Sequence, residues 1–196
     1  MLFRSVVPFI PSIFLSYQDW STGNSPELYR FIAGQPKNTM VAGLGIETSN
    51  IPSFSLRSVL FSQELAISFH VKYYQEIRKR IIQVLTAQYS TDSKDIQTVI
   101  QNYGIDYWLL DQNAFDPQYL TRKGNDWLLQ YQPQTDQARL SLAQGMKPAI
   151  AGMIKPCSVL QTNRITLLES SCMLRQISKL QQSQAATPSN KIISSP

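Results

Sequence analysis

The richest set of side chains that could do chemistry lies within residues 63–89, where the spacing of apolar residues predicts a helix. His70, Tyr73, Tyr74 and Arg78 follow one another there over little more than two helical turns. Aromatic rings beside a cation can recognise a sugar or a phosphate, and Arg57 could bring its planar guanidinium to the same anion. The alternative is that the rings belong to the core and the cations form a solvated face.

Asp111 is a second candidate because it closes a predicted strand over residues 106–111. In open parallel sheets the ligand crevice lies beyond the carboxyl ends of the strands, which favours Asp111 over Asp106. A small enzyme could use Asp111, or the single histidine His70, as its acid or base. The competing interpretation is that Asp111 caps a loop and the chain has no catalytic residue.

Complete catalytic or cofactor motifs do not occur in the sequence. Gly43-Leu44-Gly45 follows a predicted strand, but position 48 is Thr instead of a third glycine, and residues 47–55 are predicted as a loop. The sequence contains no phosphate-binding loop and no nucleophile elbow. Two cysteines and one histidine exclude a zinc site built from Cys and His, so neither a metal nor a cofactor is predicted.

Cys157 and Cys172 flank a predicted β-hairpin with strands at residues 158–161 and 164–168. Placed on either side of the hairpin, they would form a disulfide if the domain is exported to an oxidising compartment. In a reduced cytosol they would be two buried thiols instead. The sequence leaves both alternatives open.

The elements that would position these residues alternate between strands and helices. The predicted strands are residues 39–44, 56–61 and 106–111, and the predicted helices are 26–33, 63–89, 94–103, 136–144 and 147–153. This order predicts an α/β fold: a small, mainly parallel sheet with flanking helices and a C-terminal β-hairpin. We expect the three strands in one sheet, with the 63–89 helix packed across it.

The predicted domain organisation has three parts: an apolar lead-in at residues 1–20, a single α/β domain at 21–180, and a disordered tail at 181–196. Pro8 and Pro11 interrupt the apolar residues 2–15. That stretch is shorter than the roughly 20 residues of a membrane-spanning helix, and no cleavage site of a signal peptide follows it.

The net charge of +5 is unevenly distributed, because residues 139–196 contain seven Lys and Arg but a single acidic residue, Glu169. These cations are scattered singly, whereas nucleic-acid binding requires a clustered basic stripe. We therefore expect no nucleic-acid partner, and an anionic membrane surface fits this region better.

Single residues over roughly positions 20–175 carry a resemblance to a known family; they include Asn50-Ile51-Pro52, Arg57-Ser58-Val59-Leu60, Tyr73-Tyr74, Gln88-Tyr89-Ser90 and Tyr103-Gly104-Ile105-Asp106-Tyr107. With them the chain resembles the C-terminal soluble domain of multi-pass cyanobacterial membrane proteins. Those proteins are in turn similar to GT-C type glycosyltransferases of the dolichyl-phosphate-mannose mannosyltransferase kind. The resemblance implies an extracytoplasmic α/β domain with residues 2–15 at the membrane junction. It also implies that the acidic residues of glycosyl transfer lie in a membrane part outside this chain.

Two functions remain open from the sequence. The first is a non-catalytic, membrane-associated domain on the extracytoplasmic (periplasmic) face, which binds a membrane-embedded partner, a glycan, a sugar phosphate or a lipid-linked sugar. The second is a free-standing small α/β enzyme that uses His70 or Asp111. A cytoplasmic location is the alternative to export.

Overall fold

The structure is a computed structural model that describes residues 23–64, 66 and 70–186. Five strands form one sheet in the order β2-β1-β3-β5-β4. Their bounds are Met40–Gly43 (β1), Ser58–Val59 (β2), Tyr107–Asp111 (β3), Ser158–Gln161 (β4) and Ile165–Glu169 (β5). β1 is parallel to β2 and β3, and β5 is antiparallel to β3 and β4. The α/β fold with a C-terminal hairpin is confirmed, and the hairpin makes the sheet mixed.

Seven α-helices flank the sheet within the described residues: Pro26–Ala33 (α1), Ile46–Ser55 (α2), Val71–Tyr89 (α3), Ser93–Tyr103 (α4), Gln134–Ala143 (α5), Ile154–Cys157 (α6) and Ser170–Ala186 (α7). Local sequence explains the limits of α4. Asp92 accepts a hydrogen bond from the backbone N–H of Lys94 at 2.9 Å, which caps the first turn. Gly104 ends the helix with φ 60°, a left-handed conformation that glycine adopts without steric cost.

The sheet is covered on both faces because successive side chains of β3 point to opposite sides. Trp108 and Leu110 belong to a core that they share with apolar side chains of α3, α4 and α7. Leu109, between them, belongs to a second core with side chains of α1 and α2. The indole Nε1 of the fully buried Trp108 donates to Gln88 Oε1 at 3.2 Å, which ties α3 to the sheet. The predicted sheet and the packing of this helix on it are therefore confirmed.

The loop predicted for residues 47–55 is wrong, because these residues belong to α2. The sequence shows no helical periodicity there, since four consecutive polar residues are buried: Glu47, Thr48, Ser49 and Asn50. Pro52 also lies inside the helix, where it removes one backbone hydrogen bond. Packing against α1 and burial of Ile51 outweigh these unfavourable local terms.

The ends of two predicted helices also differ from the prediction. The 63–89 helix begins only at Val71, and residue 63 lies in a turn, where its backbone N–H donates to Ser49 Oγ at 3.1 Å. At the other end, α7 continues to Ala186, so residues 181–186 are helical and not part of a disordered tail. The lead-in at 1–20 and the rest of the predicted tail, 187–196, lie outside the described residues.

A disulfide joins Cys157, the last residue of α6, to Cys172 in the first turn of α7. The two Cα atoms are 5.4 Å apart, and the closed loop contains the whole β4–β5 hairpin. Among the described helices, none is both long and apolar enough to cross a bilayer.

Candidate functional site at the carboxyl edge of the sheet

A crevice of about 310 Å³ lies where the carboxyl ends of β1 and β3 meet. β1 has parallel neighbours on both sides; the chain runs from β1 to β2 on one side and then crosses from β2 to β3 on the other. Such a reversal of strand order is where open α/β sheets bind their ligands. Of the residues that the sequence singled out, only Asp111 lines this crevice.

Asp111 forms one side of the crevice floor as the last residue of β3. Its Oδ2 accepts a hydrogen bond of 2.6 Å from the Tyr119 hydroxyl. Burial raises the pKa of the Asp111 carboxyl above its usual value, the Tyr119 hydrogen bond opposes the shift, and the charge of Glu47 adds to it. Asp111 is therefore an oxygen acceptor that takes up a proton more readily than an exposed carboxylate does.

Glu47 forms the other side of the floor from the first turn of α2, and it is only 5% exposed. Its carboxylate accepts hydrogen bonds from the Tyr29 hydroxyl and, at 3.3 Å, from the backbone N–H of Asn24. The positive N-terminal end of the α2 dipole favours a negative charge at this position. Burial, followed by the hydrogen bond to Glu47, raises the pKa of Tyr29, so its phenol stays protonated and remains a donor.

Gly45, directly before α2, lies against Asp111: a Cβ at position 45 would overlap the Asp111 carboxylate, so that carboxylate would have to move. The same contact bears on whether Gly43-Leu44-Gly45 can bind a dinucleotide. A helix does follow these glycines, contrary to the predicted loop, so one objection to a dinucleotide fingerprint falls away. Two carboxylates now occupy the place where a pyrophosphate would bind, and their charge would repel it.

Cations and amides line the outer part of the crevice. Arg122 is paired with Asp116, whereas Lys123 and Arg164 present exposed side chains. The side-chain amides of Asn113, Asn125 and Asn163 also lie along it. The crevice thus combines an acidic floor with a basic rim. Among the described residues, no group of three or more His, Cys, Asp or Glu side chains could hold a metal ion.

Arg57 lies elsewhere and is engaged by the backbone. Its guanidinium donates to carbonyl oxygens at the C-terminal ends of two helices: those of residues 33 and 35 at the end of α1, and those of residues 55 and 56 at the end of α2. None of these hydrogen bonds reaches α3. The guanidinium that the sequence assigned to an anion is thus used to hold two helix ends together.

The four other candidates lie directly before α3 or in its N-terminal half, and none of them lines the crevice. His70 is exposed at the helix start, and Tyr73 is 43% exposed. The Tyr74 hydroxyl donates to Gln130 Oε1 at 3.3 Å. Burial raises the pKa of the Tyr131 phenol to about 12, Tyr74 adds to that shift, and the Arg78 cation opposes it. Tyr74 and Arg78 thus both influence the pKa of Tyr131 electrostatically.

Sequence reasoning missed Glu47, Tyr29 and Tyr119. Glu47 was hidden in a segment predicted as a loop, and Tyr29 and Tyr119 carry no motif. One available signal was the acidic side chain directly after Gly43-Leu44-Gly45, since acidic residues are favoured in the first turn of a helix. Reading residues 46–55 as a helix would have placed Glu47 at the same edge of the sheet as Asp111.

Comparison with known proteins gives a structural likeness only. No protein-family model matches the chain, and no curated protein matches it either. Among solved structures, it is similar to the C-terminal globular domain of an oligosaccharyltransferase from Archaeoglobus fulgidus. The match has 8% sequence identity and a TM-score of 0.47, and it covers 76% of this chain and 98% of that domain.

Proposed function

We propose that this chain is a non-catalytic accessory domain of a glycosyltransferase-like membrane protein, and that it binds a sugar phosphate or a lipid-linked sugar in the crevice at the carboxyl edge. The observation that carries the proposal is the separation of charge within the crevice. Asp111 and Glu47 lie on the floor, and Lys123 and Arg164 lie at the rim.

Each end of such a ligand matches one part of the crevice. The carboxylates of Glu47 and Asp111 each accept a hydrogen bond from one tyrosine hydroxyl. A carboxylate has further lone pairs, so each can also accept a hydrogen bond from a sugar hydroxyl. The phosphate cannot lie on the floor, because two carboxylates would repel it there. It can lie between Lys123 and Arg164, where cations favour it.

The disulfide between Cys157 and Cys172 supports an extracytoplasmic location, because cytosolic thiols are kept reduced. The membrane association, the membrane-embedded partner and the periplasmic face are what the sequence resemblance implies.

A second candidate function is an enzyme that uses Asp111 as a general acid. The observation that favours it is the raised pKa of the Asp111 carboxyl. His70 does not take part in this alternative, because it is exposed at the start of α3 and does not line the crevice.

The test is a thermal-shift titration of the chain with glycosyl phosphates, polyprenyl-phosphate analogues and the matching phosphate-free glycosides. We expect the phosphorylated sugars to raise Tm, and we expect Asp111→Asn and Lys123→Ala each to reduce that rise. Lys79→Ala, which removes an exposed cation from α3, is the charge-matched control and should leave it unchanged.

Three results would contradict the proposal. If Arg78→Ala abolishes the rise in Tm and the crevice variants do not, the ligand binds on α3. If no sugar phosphate changes Tm, the crevice does not serve this ligand class. If the wild type hydrolyses a chromogenic glycoside and Asp111→Asn does not, the chain is an enzyme.

A further inference from the structure

A second cavity, of about 220 Å³, lies between α3 and α5. We call it the α3–α5 cavity; the side chains that matter are Thr86 on α3, Ser90 after it, and Gln134, Gln137 and Ser141 on α5. Among the described residues that line it, none is charged. It shares no residue with the crevice at the carboxyl edge.

A polar row of α5 lies beside its packed apolar face. Ala138 and Leu142 are buried in the core, whereas Gln134, Gln137 and Ser141 recur at helical spacing next to them and line the cavity. These amide and hydroxyl groups are therefore only partly covered by the packing of α5 and can reach a molecule in the cavity.

One polar atom of the cavity lacks a partner. Gln134 Oε1 is buried and accepts no hydrogen bond from the described residues. Buried acceptors are nearly always satisfied, so an unsatisfied one requires an explanation. Rotation of the Gln134 side chain, which lines the cavity, would expose this acceptor to a ligand hydroxyl that supplies the missing donor.

We propose that the α3–α5 cavity binds one uncharged pyranose unit of a glycan through Gln134, Gln137 and Ser141. Amide and hydroxyl side chains both donate and accept, as the alternating hydroxyls of a sugar do. Because no charged side chain of the described part of the chain lines the cavity, a phosphate, carboxylate or ammonium group would find no opposite charge there. The volume lies below the roughly 300–1,000 Å³ of sites for larger ligands, so a single ring is the unit that fits. Met146, which is 43% exposed, offers apolar surface to the C–H face of the ring.

The experiment uses the oxidised full chain, labelled with ¹⁵N and titrated with methyl glycosides of neutral hexoses in two-dimensional NMR. The methyl glycosides of glucuronic acid and of glucosamine serve as anionic and cationic probes of the same size. We expect the neutral glycosides alone to shift the amide signals of residues 86–91 and 134–141. Gln137→Ala should weaken their binding about fivefold, as the loss of one hydrogen bond predicts.

Gln144→Ala is the matched control. It removes an exposed glutamine just beyond the cavity and should not change the binding of the neutral glycosides. The proposal is overturned if charged and neutral glycosides bind equally, if small amides bind and sugars do not, or if the wild type, shown to be folded by its spectrum, responds to no neutral glycoside. Shifts confined to residues around Asp111 and Tyr119 would also overturn it, while leaving the crevice proposal intact.

Discussion

Replacing Arg57 by alanine tests whether this side chain is structural, as its contacts indicate, or binds an anion, as its sequence position suggested. The guanidinium is the donor shared by the C-terminal ends of α1 and α2. Its Nε donates to Gln35 O at 2.9 Å, and its Nη1 donates to Ser55 O at 3.1 Å and to Leu56 O at 3.0 Å. Its Nη2 donates to Ala33 O at 2.6 Å. The substitution leaves four terminal carbonyls without this donor.

The expected loss of stability depends on how many of these hydrogen bonds can be replaced by hydrogen bonds to water. The bonds to Ala33 and Leu56 are exposed, so water substitutes for the guanidinium at little cost. The bonds to Gln35 and Ser55 are partly buried, and each contributes about 1–1.5 kcal/mol, somewhat less than the roughly 1.5–3 kcal/mol of a hydrogen bond to a charged group because solvent still reaches the donor. We therefore expect Arg57→Ala to lower the free energy of unfolding by about 2–3 kcal/mol. Arg57→Lys should recover less than half, because an ammonium cannot reach carbonyls on two helices at once.

The assay is urea unfolding at neutral pH with the disulfide intact, followed by the fluorescence of the three tryptophans, of which Trp108 is fully buried. Lys37→Ala removes an exposed positive charge from the turn after α1 and is the matched control, which should change little. A loss below about 0.5 kcal/mol for Arg57→Ala, or full recovery with lysine, would refute the structural role. If stability is unchanged but the thermal shift by sugar phosphates disappears, Arg57 is a ligand residue.

Three further predictions concern other parts of the structure. Leu56 is 80% exposed and has a left-handed backbone with φ 54°, which glycine adopts at lower cost, so Leu56→Gly should stabilise the protein by about 0.5 kcal/mol. Its control, Leu140→Gly within α5, should destabilise the protein by about 1 kcal/mol. A lower Tm for Leu56→Gly would contradict the left-handed backbone. Replacing Cys157 and Cys172 by serine should cost about 3 kcal/mol in chemical unfolding, and reductant should weaken the wild type alone. Because the folded-state pKa of Asp111 is raised, the wild type loses stability as pH rises from the usual carboxyl pKa through the raised one. Asp111→Asn should therefore be more stable than the wild type at neutral pH, with a difference that shrinks on acidification in pH-dependent unfolding; a difference independent of pH would count against a titrating Asp111.

Features that depend on near neighbours in the chain were readable from the sequence. The strands at residues 40–43 and 107–111 are short apolar runs, and Asp92 and Gly104 mark the limits of α4. These signals extend over a few residues only, so they can be recognised without knowledge of the tertiary structure. They were sufficient to predict the α/β fold and the position of Asp111 at the end of β3. They also placed Cys157 and Cys172 on either side of a hairpin, which left a disulfide as one of two alternatives.

The remaining features depend on packing between distant segments, which no local pattern encodes. α2 forms despite Pro52, because α1 and the sheet cover its buried polar residues. Arg57 contributes its charge to carbonyls of two helix ends that only the folded chain brings together. Asp111 and Glu47 become neighbours because β1 and β3 are adjacent in the sheet, although they are far apart in the sequence. The sequence by itself thus determined most of the strands and helices and the candidate residue Asp111 at a strand end. Only the tertiary structure decided which polar groups meet, because burial and proximity are set by the packing of the whole fold.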